Sequence, residues 1–322
     1  MATFEKRGKR WRVQLMRNGE RVSATFSTKA EAQAWASDEA SIREGKGSRT
    51  LDEALSKYAR EVSPTKRGER WEDLRITRFR ADLKFRHRPM HEIDEGHISA
   101  WRDERLKEVS AATVRRELNL LSSIWNTARK DWRWVSGNPI RDIRKPKAPR
   151  PRTRAISERE ADALVLALGY AGGKPQNVSQ RVAVAFLFAL ETAMRAGEIA
   201  GIRKQHIRGR VVHLPQTKND TERDVPLTPD AAALIALCPD GFGVTPAQID
   251  ALFRKARDKA VKKGQAGLAD IHFHDTRRTA TIALSKKLQP MELAKVTGHK
   301  DLKILLSTYY AVSADDLAKK LE

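Results

Sequence analysis

The sequence predicts a multidomain protein that is mainly α-helical with small β elements, so that its overall class is α+β. The chain has 322 residues, which exceeds the usual length of one compact domain. Its apolar residues alternate with period two at the start, then follow helical spacing, and mix both patterns after a basic stretch rich in proline. We therefore expect folded segments at 1–49, 50–140 and 155–322, with a linker at 141–154.

The first segment has the pattern of a small sheet followed by one helix. Apolar and polar residues alternate from Trp11 to Leu15, and Asn18-Gly19 is a typical hairpin turn before a second run over 21–26. Thr28 can then cap a helix over 29–43. A ββα or three-stranded module of this size is a minimal domain with a small core.

The second segment is predicted to be a four-helix domain. Helical spacing is found over 51–58, 71–85, 98–108 and 111–131, and the last of these follows Ser110, a residue that favours helix starts. We expect four tryptophans of this segment to pack in the core, with stacking on bases as the alternative. They are Trp101, Trp125, Trp132 and Trp134.

The third segment begins with a capped helix and continues with a helix that should form its buried centre. Ser157 followed by Glu160 is a capping box. Residues 178–194 are apolar almost throughout, which predicts a core helix with Arg195 at its end. Arg195 and Glu198 also have the spacing of a structural ion pair, so both interpretations of the arginine stay open.

Two short strands follow in the third segment, over 211–214 and 223–227, and a loop that carries Lys218 joins them as a hairpin. A lysine in a loop is usually only a solvated side chain. Near the end of the sequence, residues 313–321 have the pattern of a short amphipathic helix.

The charge of the chain indicates a polyanionic partner. The formal net charge is +21 and the pI is about 10.2, with an excess of Lys and Arg in each segment. Nucleic acid is the first candidate, and a plain solvated surface is the alternative. No apolar run of about twenty residues predicts a membrane span. Cys238 is the only cysteine, which fits a reducing cytoplasm and offers neither a disulfide nor a zinc site.

Residues 144–154 combine three prolines with six basic residues, a composition that cannot form a helix and should run extended. We interpret them as an interdomain linker that lies against phosphates. A nuclear-localisation-like patch has the same composition and remains a weaker alternative.

A series of polar residues then stands out by its order on predicted helix ends and loops. In chain order the series is Arg195, Lys218, His274, Arg277, His299 and a tyrosine, Tyr309 or Tyr310. Each residue alone has a structural explanation. Together, the series resembles the tyrosine recombinase family, in particular phage-type integrases. The resemblance covers the whole chain and implies an arm-type DNA-binding domain at 1–49, a helical core-binding domain at 50–140 and a catalytic domain at 155–322.

The chain departs from the family pattern at three places. Ala193 stands where family members often have glycine, and Arg278 stands where they often have histidine. Neither change removes a catalytic group. Thr308 occupies the usual position of the nucleophile, counted from the Gly-His pair. We favour Tyr309, the first of the Tyr-Tyr pair, as the nucleophile, with Tyr310 as the alternative.

The chemistry of these residue types suits phosphoryl transfer. The nonbridging oxygens of a phosphodiester carry negative charge that grows in the pentacoordinate transition state. Two guanidinium groups, here those of Arg195 and Arg277, can clamp these oxygens because they never lose their protons. The sequence offers no carboxylate cluster of plausible metal-binding spacing, so we expect no metal and no other cofactor.

The remaining residues of the series would handle protons and the covalent step. A tyrosine phenol is both a workable nucleophile and a good leaving group. His274 can accept its proton or bind a phosphate oxygen, and His299 can donate to a nonbridging oxygen. Lys218, on a hairpin loop, would protonate the departing 5′ oxygen.

The resemblance also implies the product and the partners. The product would be a 3′-phosphotyrosine with a free 5′ hydroxyl, formed while a mobile element such as a phage genome is integrated or excised. The partners would be double-stranded DNA, further copies of the chain in a homotetramer on DNA, and DNA-bending accessory proteins, in the cytoplasm of a bacterial cell. Type IB topoisomerase-like relaxation and noncatalytic DNA binding are the alternatives.

Overall fold

The computed structural model describes residues 2–8, 10–17, 20–43, 49–149, 152–215 and 222–309, and divides the chain into two compact units, Met1–Pro151 and Arg152–Glu322. Most described residues are helical, and two small antiparallel sheets accompany the helices, which confirms the predicted α+β class. Across the described ranges, no helix combines the length and the apolar character that a membrane span requires.

The first unit opens with a three-stranded antiparallel sheet and one helix. These elements are β1 (Thr3–Arg7), β2 (Arg10–Arg17), β3 (Glu20–Phe26) and α1 (Lys29–Arg43). Val13 on β2 is fully buried together with Ala32 and Ala36 on α1, as the alternation predicts. The N–H of Glu31 donates to Thr28 Oγ1 at 3.2 Å, which confirms the predicted cap. The Asn18-Gly19 turn lies outside the described residues.

The sequence allowed either two or three strands in this module, but no pattern located the third strand, β1. Its five residues show the burial of an edge strand, in which only the side chain of Phe4 is partly buried. An edge strand with four exposed side chains carries no alternating apolar signal, so the sequence pattern could not reveal it.

Four α-helices follow in the first unit, as predicted. They are α2 (Leu51–Glu61), α3 (Glu69–Asp82), α4 (Glu95–Glu108) and α5 (Ala111–Lys130). Ser110 caps α5 by accepting a hydrogen bond from the N–H of Thr113 at 3.3 Å. Trp101 and Trp125 are buried in the core between the helices, which supports the packing interpretation of these tryptophans.

One buried ionic network links three of these helices. Arg105 on α4 donates from Nε and Nη2 to the two carboxylate oxygens of Glu117 on α5, both at 3.0 Å. Arg75 on α3 adds a third hydrogen bond to the same carboxylate at 3.1 Å. Because the carboxylate of Glu117 is buried, these donors replace the water that it has lost.

The basic stretch after the helices has no regular secondary structure in its described residues, 144–149 and 152–154, as predicted, and its first part belongs to the first unit. Arg102 donates to the carbonyl of Arg144 at 2.7 Å, and Arg115 donates to the carbonyl of Pro146 at 3.1 Å. Ile143 is buried in the helical core. The backbone here is therefore held by side chains of α4 and α5.

The second unit combines eight helices of the α type with one small sheet in its described part. The helices are α6 (Glu158–Ala167), α7 (Val178–Thr192), α8 (Ala196–Ala200), α9 (Pro229–Ala236), α10 (Pro246–Lys262), α11 (Asp275–Ser285), α12 (Pro290–Thr297) and α13 (Leu302–Tyr309). The predicted capping box of Ser157 and Glu160 is present at the start of α6. Helix α7 is the buried centre, since both Phe186 and Phe188 are fully buried.

Helix α7 ends two residues before the predicted end at position 194. Ala193 follows it with a φ of 54°, which is the left-handed conformation. The chain therefore changes direction at Ala193. Arg195 is the N-cap residue of α8 and does not lie at the end of α7.

The sheet of the second unit is antiparallel, with strands β4 (Ile207–Arg208), β5 (Val211–Leu214) and β6 (Arg223–Pro226) in that order. The predicted hairpin is present, and Val212 pairs with Val225 in its buried centre. The two-residue strand β4 was too short to predict. Lys218, Tyr310 and the predicted helix over 313–321 lie outside the described residues.

Candidate active site

Arg195, Arg277 and His299 meet at one place in the second unit. Arg195 precedes α8, Arg277 lies in the first turn of α11, and His299 follows the end of α12. Arg277 Nη2 is 3.5 Å from His299 Nε2. Burial lowers the pKa of His299, and Arg277 and Arg195 are close enough to lower it further by their positive charge. Three residues of the predicted series are thus neighbours, although they lie at the ends of three separate helices.

Arg277 is held by the backbone at the ends of two other helices. Its Nη1 donates to the carbonyl of Ala193 at 2.8 Å, and its Nη2 donates to the carbonyl of Thr297 at 2.6 Å. Carbonyls at a helix end lack partners within their own helix, so they are available as acceptors. Arg277 is buried, and these two bonds fix the plane of its guanidinium group.

Arg195 and Glu198 do form the ion pair that the sequence allowed, but the pair is part of a larger arrangement. Arg195 donates from its backbone N–H to Glu198 Oε2 and from Nη1 to Oε1, both at 2.8 Å. Within the described residues, Nε and Nη2 of Arg195 make no hydrogen bond, and a quarter of the side chain, 25%, is exposed. The structural pair therefore leaves donors of Arg195 available to a ligand.

Arg223 is the second partner of Glu198. Its Nη1 and Nη2 donate to Oε1 and Oε2 at 2.9 and 2.8 Å, and both side chains are buried. Burial alone would raise the pKa of Glu198. The hydrogen bonds from Arg223 and from the backbone of Arg195 outweigh this effect and lower the pKa to about 2. Glu198 is therefore ionised at every physiological pH.

His299 is uncharged at neutral pH. Burial lowers its pKa to about 4, and the positive charges of Arg277, Arg195 and Arg223 act in the same direction. The hydroxyl of Thr297 donates to the carbonyl of Leu293 at 2.6 Å, so its oxygen accepts a hydrogen bond from His299 Nδ1–H, also at 2.6 Å. His299 consequently presents the lone pair of Nε2 toward Arg277.

His274 lies directly before α11 and is exposed. The N–H of Arg277 donates to its carbonyl at 3.2 Å, so the two residues share the first turn of this helix. Tyr309 is the last residue of α13, and only its backbone belongs to the described part of the chain. The structure thus locates four residues of the series by backbone and side chain, and a fifth by backbone alone.

A second ionic cluster holds the start of α11. Arg152 donates from Nε and Nη2 to the two oxygens of Asp275 at 3.0 and 2.9 Å, and from Nη1 to Asp270 at 3.1 Å. The N–H of His272 donates to the same Asp275 at 2.8 Å. Asp275 is buried, and it lies between His274 and Arg277 in the sequence. The cluster therefore fixes the backbone that carries both residues.

Sequence reasoning missed Arg223 and Thr297 as parts of the site. A signal for Arg223 was present, because residues two apart on a strand share a face, and Val225 is the buried residue of β6. An arginine on that inward face requires a buried partner. Thr297 gave no comparable signal. No group of three or more His, Cys, Asp or Glu side chains in the described ranges is arranged to hold a metal ion.

Comparisons with known proteins identify relatives of this chain. The model of the phage integrase family matches residues 154–315. A putative integrase/recombinase of Haemophilus influenzae is 40% identical, over 97% of this chain and 87% of the relative. The shufflon-specific DNA recombinase of Escherichia coli is 34% identical, over 85% of this chain and 72% of the relative.

Two solved structures share the fold. The Tn1549 transposon integrase in complex with transposon right end DNA has a TM-score of 0.67 and 15% identity, over 84% of this chain and 98% of that one. A lambda integrase dimer bound to a COC′ core site has a TM-score of 0.64 and 16% identity, over 95% of this chain and 93% of that one.

Proposed function

Because the chain belongs to the phage integrase family, and is thus a site-specific DNA recombinase, we propose that it cuts and rejoins DNA through a 3′-phosphotyrosine intermediate on Tyr309. The observation that carries this proposal is the convergence of Arg195, Arg277 and His299 around one position. Three groups that can bind or polarise a phosphate, brought together from the ends of three helices, suit a phosphodiester substrate.

In the first step, the two arginines bind the scissile phosphate. The Nε and Nη2 donors of Arg195, which have no partner among the described residues, would bind one nonbridging oxygen, and the guanidinium charge of Arg277 would stabilise the other. Because helix ends hold Arg277 before substrate arrives, little reorganisation is needed when negative charge develops in the transition state.

His299 would act after a change in its protonation. In the free protein its Nε2 carries a lone pair and cannot donate a hydrogen bond. A bound phosphate adds negative charge beside the three arginines, which favours the protonated imidazole. Nε2–H then donates to a nonbridging oxygen, so we propose that proton uptake accompanies DNA binding.

In the covalent step, the phenol oxygen of Tyr309 attacks phosphorus and the bond to the 5′ oxygen breaks. His274 would accept the phenol proton, and Lys218 would give a proton to the departing 5′ oxygen. The tyrosyl ester keeps the energy of the broken bond. A 5′ hydroxyl from a partner duplex reverses the same chemistry and joins the strands.

We also assign roles to the segments and partners. Residues 1–49 would bind arm sites, 50–140 and the linker at 141–154 would bind core-site DNA, and 155–322 would carry out catalysis. The chain would act as a homotetramer on double-stranded DNA, with DNA-bending accessory proteins, in the bacterial cytoplasm. Dimers and tetramers of lambda integrase on DNA support the oligomeric part of this proposal. Neither topoisomerase-like relaxation nor noncatalytic binding gains support from the relatives, which are named as integrases or recombinases.

The decisive experiment is capture of the covalent intermediate. The full chain selects its sites from a pool of random duplexes, and nicked suicide versions of these sites are incubated with it in EDTA. We expect a covalent protein–DNA band for the wild type and for Tyr310→Phe, and none for Tyr309→Phe. A band lost only in Tyr310→Phe would reassign the nucleophile. Absence of a band in the wild type, on sites that it binds, would refute the phosphotyrosine mechanism.

A further inference from the structure

We propose that Arg223 is a positioning residue for strand cleavage, which neutralises Glu198 and thereby leaves the guanidinium of Arg195 able to bind the scissile phosphate. The inference rests on the proposed function, because it concerns the same site. Arg223 touches no reacting atom in this scheme. It acts through the residues that do.

Arg223 joins three parts of the site. It is the first residue of β6, directly after the hairpin loop that contains Lys218. Its two terminal nitrogens bind both oxygens of Glu198, in the first turn of α8, and its Nε donates to the carbonyl of Val296 in α12 at 3.0 Å. One side chain therefore fixes α8, which follows Arg195, against the helix that leads into His299.

The charges explain why a second arginine is needed. Arg195 and Glu198 alone would form a neutral pair, with the carboxylate competing against phosphate for the same guanidinium. Arg223 makes the two-point contact with this carboxylate, and within the described residues the guanidinium of Arg195 donates to it from Nη1 alone. The three side chains together carry one net positive charge. That charge resides on the arginine that is partly exposed.

The turn into His299 is shaped around Arg223. Gly298 has a φ of +70°, and a Cβ added there would lie 3.0 Å from Arg223 Nη1 and 3.4 Å from its Cδ. A side chain at position 298 would thus press on the arginine. The absence of one lets the guanidinium lie against the backbone that precedes His299.

The test compares single-turnover rates of covalent adduct formation on a nicked suicide duplex at saturating full-length protein. We expect Arg223→Met to lower this rate about a hundredfold, while the Kd for DNA changes less than about threefold, because many other phosphate contacts dominate binding. Arg223→Lys keeps the charge without the forked contact, and we expect a loss of about tenfold.

A double variant separates charge neutralisation from mere packing. If Arg223 acts by neutralising the carboxylate, Glu198→Gln combined with Arg223→Met is about tenfold faster than Arg223→Met alone, since no uncompensated negative charge remains. A purely structural role predicts that the double variant is equally slow or slower. The proposal is overturned by that result, or by a folded Arg223→Met protein whose rate stays within about threefold of wild type.

A matched control and a second readout complete the test. Arg210→Met removes another arginine of the second unit that makes a two-point contact, from Nε and Nη2 to the carbonyl of Leu227 at 3.3 and 3.0 Å, and should leave the rate at saturating DNA unchanged. In the free protein, NMR should show a higher pKa for His299 in Arg223→Met. The charged groups that face this imidazole are Arg277 on α11, Arg195 before α8 and Arg223 on β6, and all are positive.

The outcomes also distinguish this inference from the proposed function. If the wild type forms no covalent adduct, the phosphotyrosine mechanism fails and the role of Arg223 in cleavage fails with it. If the wild type forms the adduct and the Arg223 variants match it, only the inference fails. Circular dichroism establishes whether each variant is folded. If Arg223→Met does not fold, the rates of Arg223→Lys and of the double variant test the inference instead.

Discussion

The carbonyl oxygen of Ala193 accepts a hydrogen bond from Nη1 of Arg277 at 2.8 Å, across a separation of 84 residues in the sequence. The carbonyl points toward the arginine because Ala193 adopts a left-handed conformation, with φ at 54°, where α7 ends. The β-carbon of Ala193 disfavours this left-handed conformation, yet the conformation provides a hydrogen bond that holds Arg277 in place.

Replacement of Ala193 by glycine tests this strain. Ala193→Gly should change the free energy of unfolding by less than about 1 kcal/mol, because relief of about 1 kcal/mol of left-handed strain offsets the lost methyl burial and the added chain entropy. Ala189→Gly is the control, since Ala189 is equally buried but helical. It should destabilise by about 2 kcal/mol.

Urea unfolding of both glycine variants, followed by circular dichroism, provides the measurement. All seven tryptophans belong to the first unit, so tryptophan fluorescence reports that unit separately and should not change. Equal destabilisation by the two substitutions would show that Ala193 is unstrained.

Substitution of Gly298 tests the close approach of Arg223. Gly298→Ala and Gly209→Ala both place a β-carbon at a positive φ, and each should cost about 1 kcal/mol for that reason. A β-carbon at 209 meets nothing within 4 Å, whereas one at 298 meets Arg223. Gly298→Ala should therefore cost about 1 kcal/mol more and slow adduct formation about tenfold, whereas Gly209→Ala should not slow it. Similar cleavage rates for the two variants would contradict the contact.

The lowered pKa of His299 makes stability depend on pH. The folded value is about 4 and the ordinary value is 6.5, so the unfolded chain binds more protons between these limits. The effect of His299 on stability is therefore absent above pH 6.5, and stability falls as the pH decreases toward 4, by at most about 3.4 kcal/mol before solvent screening is considered.

Denaturation of wild type and His299→Gln at pH 7.5 and 5 measures this linkage. The variant lacks the titrating imidazole, so its loss of stability between the two pH values should be smaller than that of the wild type. The same dependence in both proteins would mean that His299 titrates normally. NMR titration with and without a duplex should in addition show that DNA raises the pKa of this histidine.

Removal of the Arg152 clamp should destabilise the second unit. Arg152→Met removes two hydrogen bonds to the buried carboxylate of Asp275. The bond from the N–H of His272 to this carboxylate remains. We expect a loss of about 1–3 kcal/mol, less than for a fully buried pair because Arg152 is 43% exposed. Thermal unfolding followed by circular dichroism measures this loss, with Arg159→Met, at an exposed position on α6, as the control that should change stability by less than about 0.5 kcal/mol. Equal effects would show that the clamp contributes nothing.

The parts of the structure that depend on neighbouring residues were predictable from the sequence. Thr28 and Ser110 cap the helices that they were expected to cap, and the hairpin of the second unit has its predicted strands. Such features follow from local hydrogen bonding and from side-chain periodicity. The chain length predicted more than one hydrophobic core, and the structure divides into two compact units.

Features that depend on distant contacts were not predictable. Alanine favours helices, so nothing in the apolar run of α7 indicated that Ala193 would reverse the chain. The pairing of Arg223 with Glu198 depends on how β6 approaches α8, which no local pattern encodes. The order of Arg195, Arg277 and His299 indicated a common site, but their mutual orientation comes from tertiary packing alone.

The position of Arg223 also constrains when the site can form during synthesis. Its partners Glu198 and Val296 lie 25 residues before and 73 residues after it in the sequence. A nascent chain can bury α6 and α7 early, but the turn that carries His299 is translated much later. Nascent chains that lack this turn therefore hold an incomplete phosphate pocket, and cleavage competence should arise only after residue 299 has been translated.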